Sequence, residues 1–224
     1  MKAKQLQMII GLSVILIFTS SFSYADFRHK NKKFRITITN ITRGQIFSPP
    51  IVITHNRGYT LFETGEPASS ALAALAEDGD PGELIDVIST LPAVLDHAVA
   101  EGPLLPGDSV TLEVNAYGKF NLLSIAGMLV TTNDAFFSIR NADLPFIQKS
   151  IKLDAEAYDA GSETNSEDCD FIPGPPCGSH NVRDTDEAEG YIHIHPGIHG
   201  VGDLVPFRDD WKNPVAEIII QKAN

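Results

Sequence analysis

Basic residues are scarce in this 224-residue chain: 17 Lys and Arg stand against 29 Asp and Glu, a formal charge of −12. A general nucleic-acid binder needs the opposite balance to neutralise phosphates, so that class is disfavoured. Cysteine is nearly missing. Two residues, Cys169 and Cys177, cannot by themselves make a zinc site, and no CxxC redox pair exists. The chain also lacks the glycine-rich phosphate loops GxxxxGK[ST] and GxGxxG, the GxSxG nucleophile elbow and the HExxH zinc helix. Nucleotide chemistry and nucleophilic hydrolysis are therefore left without a signature. The apolar run Met8–Phe18 stops short of the roughly 20 residues that a membrane-spanning helix needs.

That run instead has the form of an export signal. Lys2 and Lys4 precede it, and Ser23 and Ala25 occupy the −3 and −1 positions of a cleavage site before Asp26. Residues 1–25 read as a signal peptide and residues 26–224 as a single domain without an integral membrane segment. Cleavage removes two lysines and no acid, which moves the net charge from −12 to −14. No Cys directly follows the apolar run, so a lipid-anchored form is disfavoured, and the expected location is periplasmic or secreted. In an oxidising compartment, Cys169 and Cys177 at the ends of CDFIPGPPC read as a disulfide pinning one loop rather than as free thiols.

Period-two patterning dominates the rest. Phe34, Ile36 and Ile38 alternate with Arg35, Thr37 and Thr39, as in a strand buried on one face. Strand-like segments recur at 51–54, 59–62, 110–114, 120–132, 135–139, 151–157, 191–195 and 215–221, separated by Gly, Pro and Asn. Such alternation fits antiparallel pairing better than a parallel sheet. Between them, residues 67–77 and 81–99 carry helix formers with apolar residues three and four apart (Leu84, Val87, Ile88, then Val94, Leu95, Val99), interrupted by Pro81 and Pro92. The reading is all-β, a sandwich with a short helical insertion. Residues 162–190 form a long polar loop, of a length usually functional or disordered.

Carboxylates that could hold a hard cation stand at strand ends. Asp134 sits where one strand turns into the next, and Asp159 and Glu163 flank Gly161, which permits a sharp turn. On spacing alone, a turn residue and two solvated loop acids explain them more simply. The twelve-residue EF-hand pattern is absent.

Tyr158-Asp159-Ala160-Gly161-Ser162-Glu163 resembles the aromatic-D-A-G-T-[DE] motif of the spondin N-terminal domain family, the F-spondin and mindin type, which includes exported bacterial members. Residues 59–69 (YTLFETGEPAS), 75–81 (LAEDGDP), 127–136 (GMLVTTNDAF) and 214–218 (PVAEI) resemble further family segments in the right order, over roughly residues 33–222. The resemblance implies a C2-like antiparallel β-sandwich with one Ca2+ held by loop carboxylates, which fall here on Asp134, Asp159 and Glu163. The last is Asp in animal members. Asn133-Asp134-Ala135 lacks the Pro and Trp of the animal P-D-W sequence.

His193, His195 and His199 lie in YIHIHPGIHG; the first two, two apart in a strand, point to one face, and Pro196-Gly197 turns the chain back. Three gathered imidazoles suit Zn2+ or Cu2+, while a solvated histidine face is the simpler alternative. The sole tryptophan, Trp211, reads as a core residue rather than a ligand-stacking platform. The expectation is a non-enzymatic, exported calcium-binding adhesion or recognition module whose partner is an extracellular or cell-surface protein or glycan. Its rivals are a Zn- or Cu-dependent enzyme built on the histidines and a calcium-dependent membrane-surface domain.

Overall fold

The computed structural model describes residues 31–223, and the expected signal peptide lies outside them. Strand β1 (Lys32–Asn40) realises the alternation read from its sequence: Phe34, Ile36 and Ile38 are fully buried while Arg35 faces out. It pairs antiparallel with β4 (Ser109–Ala116) on one side and with β9 (Ala216–Lys222) on the other. On the exposed face the pairing brings hydroxyls together, Thr37 with Thr111 and Thr39 with Ser109, each at 2.8 Å.

The second sheet contains β3 (Val94–Val99), β2 (Ile51–His55), β5 (Leu122–Met128) and β6 (Ala135–Asp143), also antiparallel. One ten-residue strand, β7 (Ser150–Asp159), belongs to both sheets. Its first part, Ser150–Ala155, pairs with β9, and its last part, Glu156–Asp159, pairs with β6. The two-residue β8 (His193–Ile194) adds to the far end of β7. The path β3-β2-β5-β6-β7-β9-β1-β4 almost closes on itself. Between its ends the Asp96 carboxylate accepts from the Asn115 backbone and side-chain N–H groups, both at 2.8 Å.

Two cores result. Between the sheets lie Phe34, Ile36, Val52, Ile125, Phe137, Ile218 and Trp211, so the tryptophan is a core residue. Outside the second sheet, helices α1 (Ser70–Asp78) and α2 (Gly82–Ser89) bury Leu72, Leu75, Leu84 and Ile88 against Ile51, Ile53, Ala126 and Phe136. Burying such side chains contributes about 1.5–3 kcal/mol each. Strands β2 and β5 are covered on both faces, which is why their sequences are mostly apolar, and their polar residues are paired inside: His55 Nε2 and Ser124 Oγ lie 2.9 Å apart. Ser69 caps α1 by accepting from the Leu72 N–H, and Gly79 ends it in the left-handed conformation.

All-β with a helical insertion describes the molecule, with three local differences. Val94, Leu95 and Val99 match a helical period, yet Val94–Val99 is strand β3, because Pro92 ends the helical course and β2 offers an edge to pair with. Residues 59–62, expected as a strand, are irregular; Phe62 instead packs its ring on Phe136 and Tyr158. Of the expected strand 191–195 only His193 and Ile194 are extended in a ladder. Cys169 and Cys177 form the disulfide. The loop it closes docks beside the Asp134 turn through Gly174 N–H to Val130 C=O (2.7 Å) and Thr131 Oγ1 to Pro175 C=O (2.8 Å). Among the described residues no helix is long and apolar enough to cross a membrane.

Candidate metal centre

The β6–β7 ladder opposes Ala135 to Asp159, so Asp134 and the Asp159-Ala160-Gly161 motif meet at one tip. Each motif residue has a local reason. Asp159 Oδ1 accepts the Gly161 N–H at 2.7 Å, a turn made by the side chain itself. Ala160 packs into the helix-side core and donates its N–H to Asp134 C=O at 3.2 Å. Gly161 has φ +65°, and a Cβ there would come within 2.3 Å of Tyr191 O and 2.7 Å of Tyr191 N. Its left-handed backbone turns Ser162 and Glu163 towards Asp134, whose Oδ2 accepts their N–H groups at 2.8 and 3.0 Å.

Satisfaction stops there. Asp134 Oδ1 and both carboxylate oxygens of Glu163 are buried without a hydrogen bond. Arg183 Nε stands 3.5 Å from Glu163 Oε1 while it also pairs with Glu77 and Asp78 at the end of α1. One guanidinium thus serves a crowd of acids. Burial first, then the Asp159 charge, pushes the Asp134 carboxyl up to about 8. Burial and the Glu77 charge push Glu163 up to about 9, against the pull of Arg183. Asp159 is raised by burial too, opposed by hydrogen bonds from Asn165 and Gly161 and by His193. Buried carboxylates of this kind stay charged only if a cation joins them. The free oxygens and the oxygen-only donor set fit a hard ion such as calcium.

The histidines are placed unequally. His193 Nδ1 lies 3.9 Å from Asp159 Oδ1, and His195 Nε2 lies 3.8 Å from Asp159 Oδ2. Burial, reinforced by the other two histidines, lowers His195 to about 3. His199 is exposed and takes part through its backbone: the N–H groups of His199, Gly200 and Val201 donate to the buried Glu167 carboxylate at 2.5–3.0 Å. Nothing in the sequence pattern marks Glu167. Replacing it by Ala leaves three donors unpaired; thermal melting should show a loss of about 2–4 kcal/mol, and an unchanged melting curve would contradict the assignment. Glu77, Asp78 and Arg183 also belong to the site, and only the acidic helix end at 75–81 signals them in the sequence. Asp134, Asp159 and Glu163 share a neighbourhood, but among the described residues the trio whose ligand atoms lie within 4.8 Å of one another is Asp159, Glu189 and His193.

An antiparallel strand path that almost closes on itself gathers acidic loops at one tip, with a disulfide-closed loop beside them. The spondin N-terminal family (Spondin_N) matches residues 21–168, well over half the chain, and the protein belongs to that family. No curated protein matches the chain. The match ends just before Cys169, so the disulfide loop, the histidine segment and β9 lie beyond it.

Proposed function

We propose that this protein is a calcium-binding adhesion or recognition module that works outside the cytoplasm after loss of its leader, in the periplasm or secreted, with no chemical step of its own. Asp134, Asp159 and Glu163 hold the ion, which rigidifies the tip loops so that they present a fixed surface to an extracellular or cell-surface protein or glycan. The observation that carries this reading is the set of buried oxygens on Asp134 and Glu163 that accept no hydrogen bond, with Arg183, shared among three acids, the cation beside Glu163. Such oxygens are costly unless something positive meets them.

Calorimetric titration of purified, chelator-treated protein with Ca2+ tests it. One equivalent should bind, and calcium at 100 times Kd should stabilise the fold by about 2.7 kcal/mol. Asp134→Asn and Glu163→Gln should each lower the affinity at least about tenfold, since each removes a charged donor. Absence of binding heat, with the same melting temperature in EDTA and in calcium, would remove the proposal.

A further inference from the structure

Beside the calcium carboxylates, three donors of different kinds converge. Asp159, Glu189 and His193 each place one ligand atom within 4.8 Å of the other two. Asp159 is fully buried, His193 half-buried and Glu189 exposed, which makes a socket with a closed floor and an open rim. The two carboxylates would repel each other, yet they are held together: Asn165 Nδ2 donates to Asp159 Oδ2 at 2.7 Å and to Glu189 Oε1 at 3.1 Å.

Underneath sits His195. Its Nδ1 accepts the Gly197 N–H at 3.0 Å, which places the ring proton on Nε2. That Nε2 belongs to a side chain only 2% exposed, has no hydrogen-bond partner and faces Asp159 Oδ2 across 3.8 Å. The gap is too long for a hydrogen bond, and a small movement of the carboxylate would close it. Outer donors of this kind commonly fix a carboxylate that ligates a metal.

We propose that Asp159, Glu189 and His193 form a second cation site, for a divalent transition metal of the zinc type, with His195 as the positioning residue that holds Asp159. The imidazole decides the class, since calcium and magnesium take oxygen donors whereas an imidazole with carboxylates suits zinc and its neighbours. Donors lie about 2.0–2.2 Å from zinc, so two of them stand roughly 3.3–4 Å apart. The 3.9 Å between His193 Nδ1 and Asp159 Oδ1 already falls in that range; Nδ1 also lies 3.3 Å from the Tyr191 carbonyl, a contact whose proton it gives up on ligating a metal. Two of the three ligands and His195 come from beyond the family-matched segment, so the site goes beyond the calcium reading and shares only Asp159 with it.

The test is a titration of the purified, chelator-treated protein with Zn2+ alone by calorimetry, with the visible spectrum of bound Co2+ as a second readout. One equivalent of zinc should bind. His193→Ala and Glu189→Gln, both on the open rim, should weaken it by about 100-fold, at or above what loss of an outer partner costs. Calcium binding should be unchanged in both. Asp134→Asn should do the reverse, so failure of either site is read separately. His195→Ala should weaken zinc about 10- to 100-fold. His195→Gln, which keeps an N–H donor, should restore the affinity and the cobalt spectrum. If His193→Ala and Glu189→Gln bind zinc as the unmodified protein does, or if His199→Ala alone abolishes binding, the assignment is wrong.

Discussion

Calcium-free protein should lose stability steadily as the pH is raised from 5 to 9, and calcium should flatten that slope. The folded-state values of Asp134 and Glu163, about 8 and about 9, lie far above their ordinary 3.8 and 4.5. A group raised on folding contributes stability that is fully present below its unfolded value and is lost as the pH climbs through its folded one. The window therefore runs from about pH 4 to about pH 9. Across it each such group adds a slope of up to about 1.4 kcal/mol per pH unit. On the proposed reading, calcium would bind the charged carboxylates and so remove the reason for the slope. Thermal melts at pH 5, 7 and 9, in EDTA and in calcium, read this directly. Asp134→Asn should reduce the slope in EDTA. A calcium-free protein that melts at the same temperature across the range, or higher at pH 9, would contradict the electrostatics of the tip.

Gly161→Ala should be among the most damaging single-methyl additions in the molecule. The left-handed backbone alone costs about 1–2 kcal/mol for an L side chain, and forcing an atom into filled space adds about 1–3 kcal/mol. The new Cβ would meet Tyr191 backbone at 2.3 Å, which cannot swing aside as a flexible side chain would. Gly65 supplies the control: its φ is +87°, yet nothing lies within 4 Å of the added atom. Gly65→Ala should therefore cost only the backbone part. Denaturant melts of the two variants should separate them, and Gly161→Ala should also weaken calcium, because the turn that delivers Glu163 to Asp134 must open. Equal losses in the two variants would show that Tyr191 yields.

Legibility in the sequence followed the surroundings of each element. Strand β1 declares itself because solvent covers one face and core the other. Strand β3 does not: its six residues are all half-buried, so burial leaves no alternation to read, and the spacing of Val94, Leu95 and Val99 imitates a helix. At the tip, Asp159 and Glu163 are accessible through a local motif whose glycine has a geometric cause, and Asp134 through its place at a strand turn in the separate segment 127–136. Glu77, Asp78, Arg183 and Glu189 are not legible there, since they reach the same place from segments far apart in the chain, and Asn165, although close by in the chain, carries no charge to mark it. The paired spacing of His193 and His195 suggested one shared face, and both rings do approach Asp159, even though Ile194 between them is exposed rather than buried.

The register of β7 has an outcome for how the molecule can be mounted. Its first residue, Ser150, lies opposite Gln221, in the same corner where Phe34 meets Lys222, while its last, Asp159, reaches the carboxylate tip. Ten residues of strand separate those points by about 30 Å. The polypeptide thus enters at Lys32 and departs at Lys222 from the pole remote from the acids. A neighbour fused or tethered at either end would hold the domain by its base and leave the acidic pole pointing outward, free to meet whatever it grips.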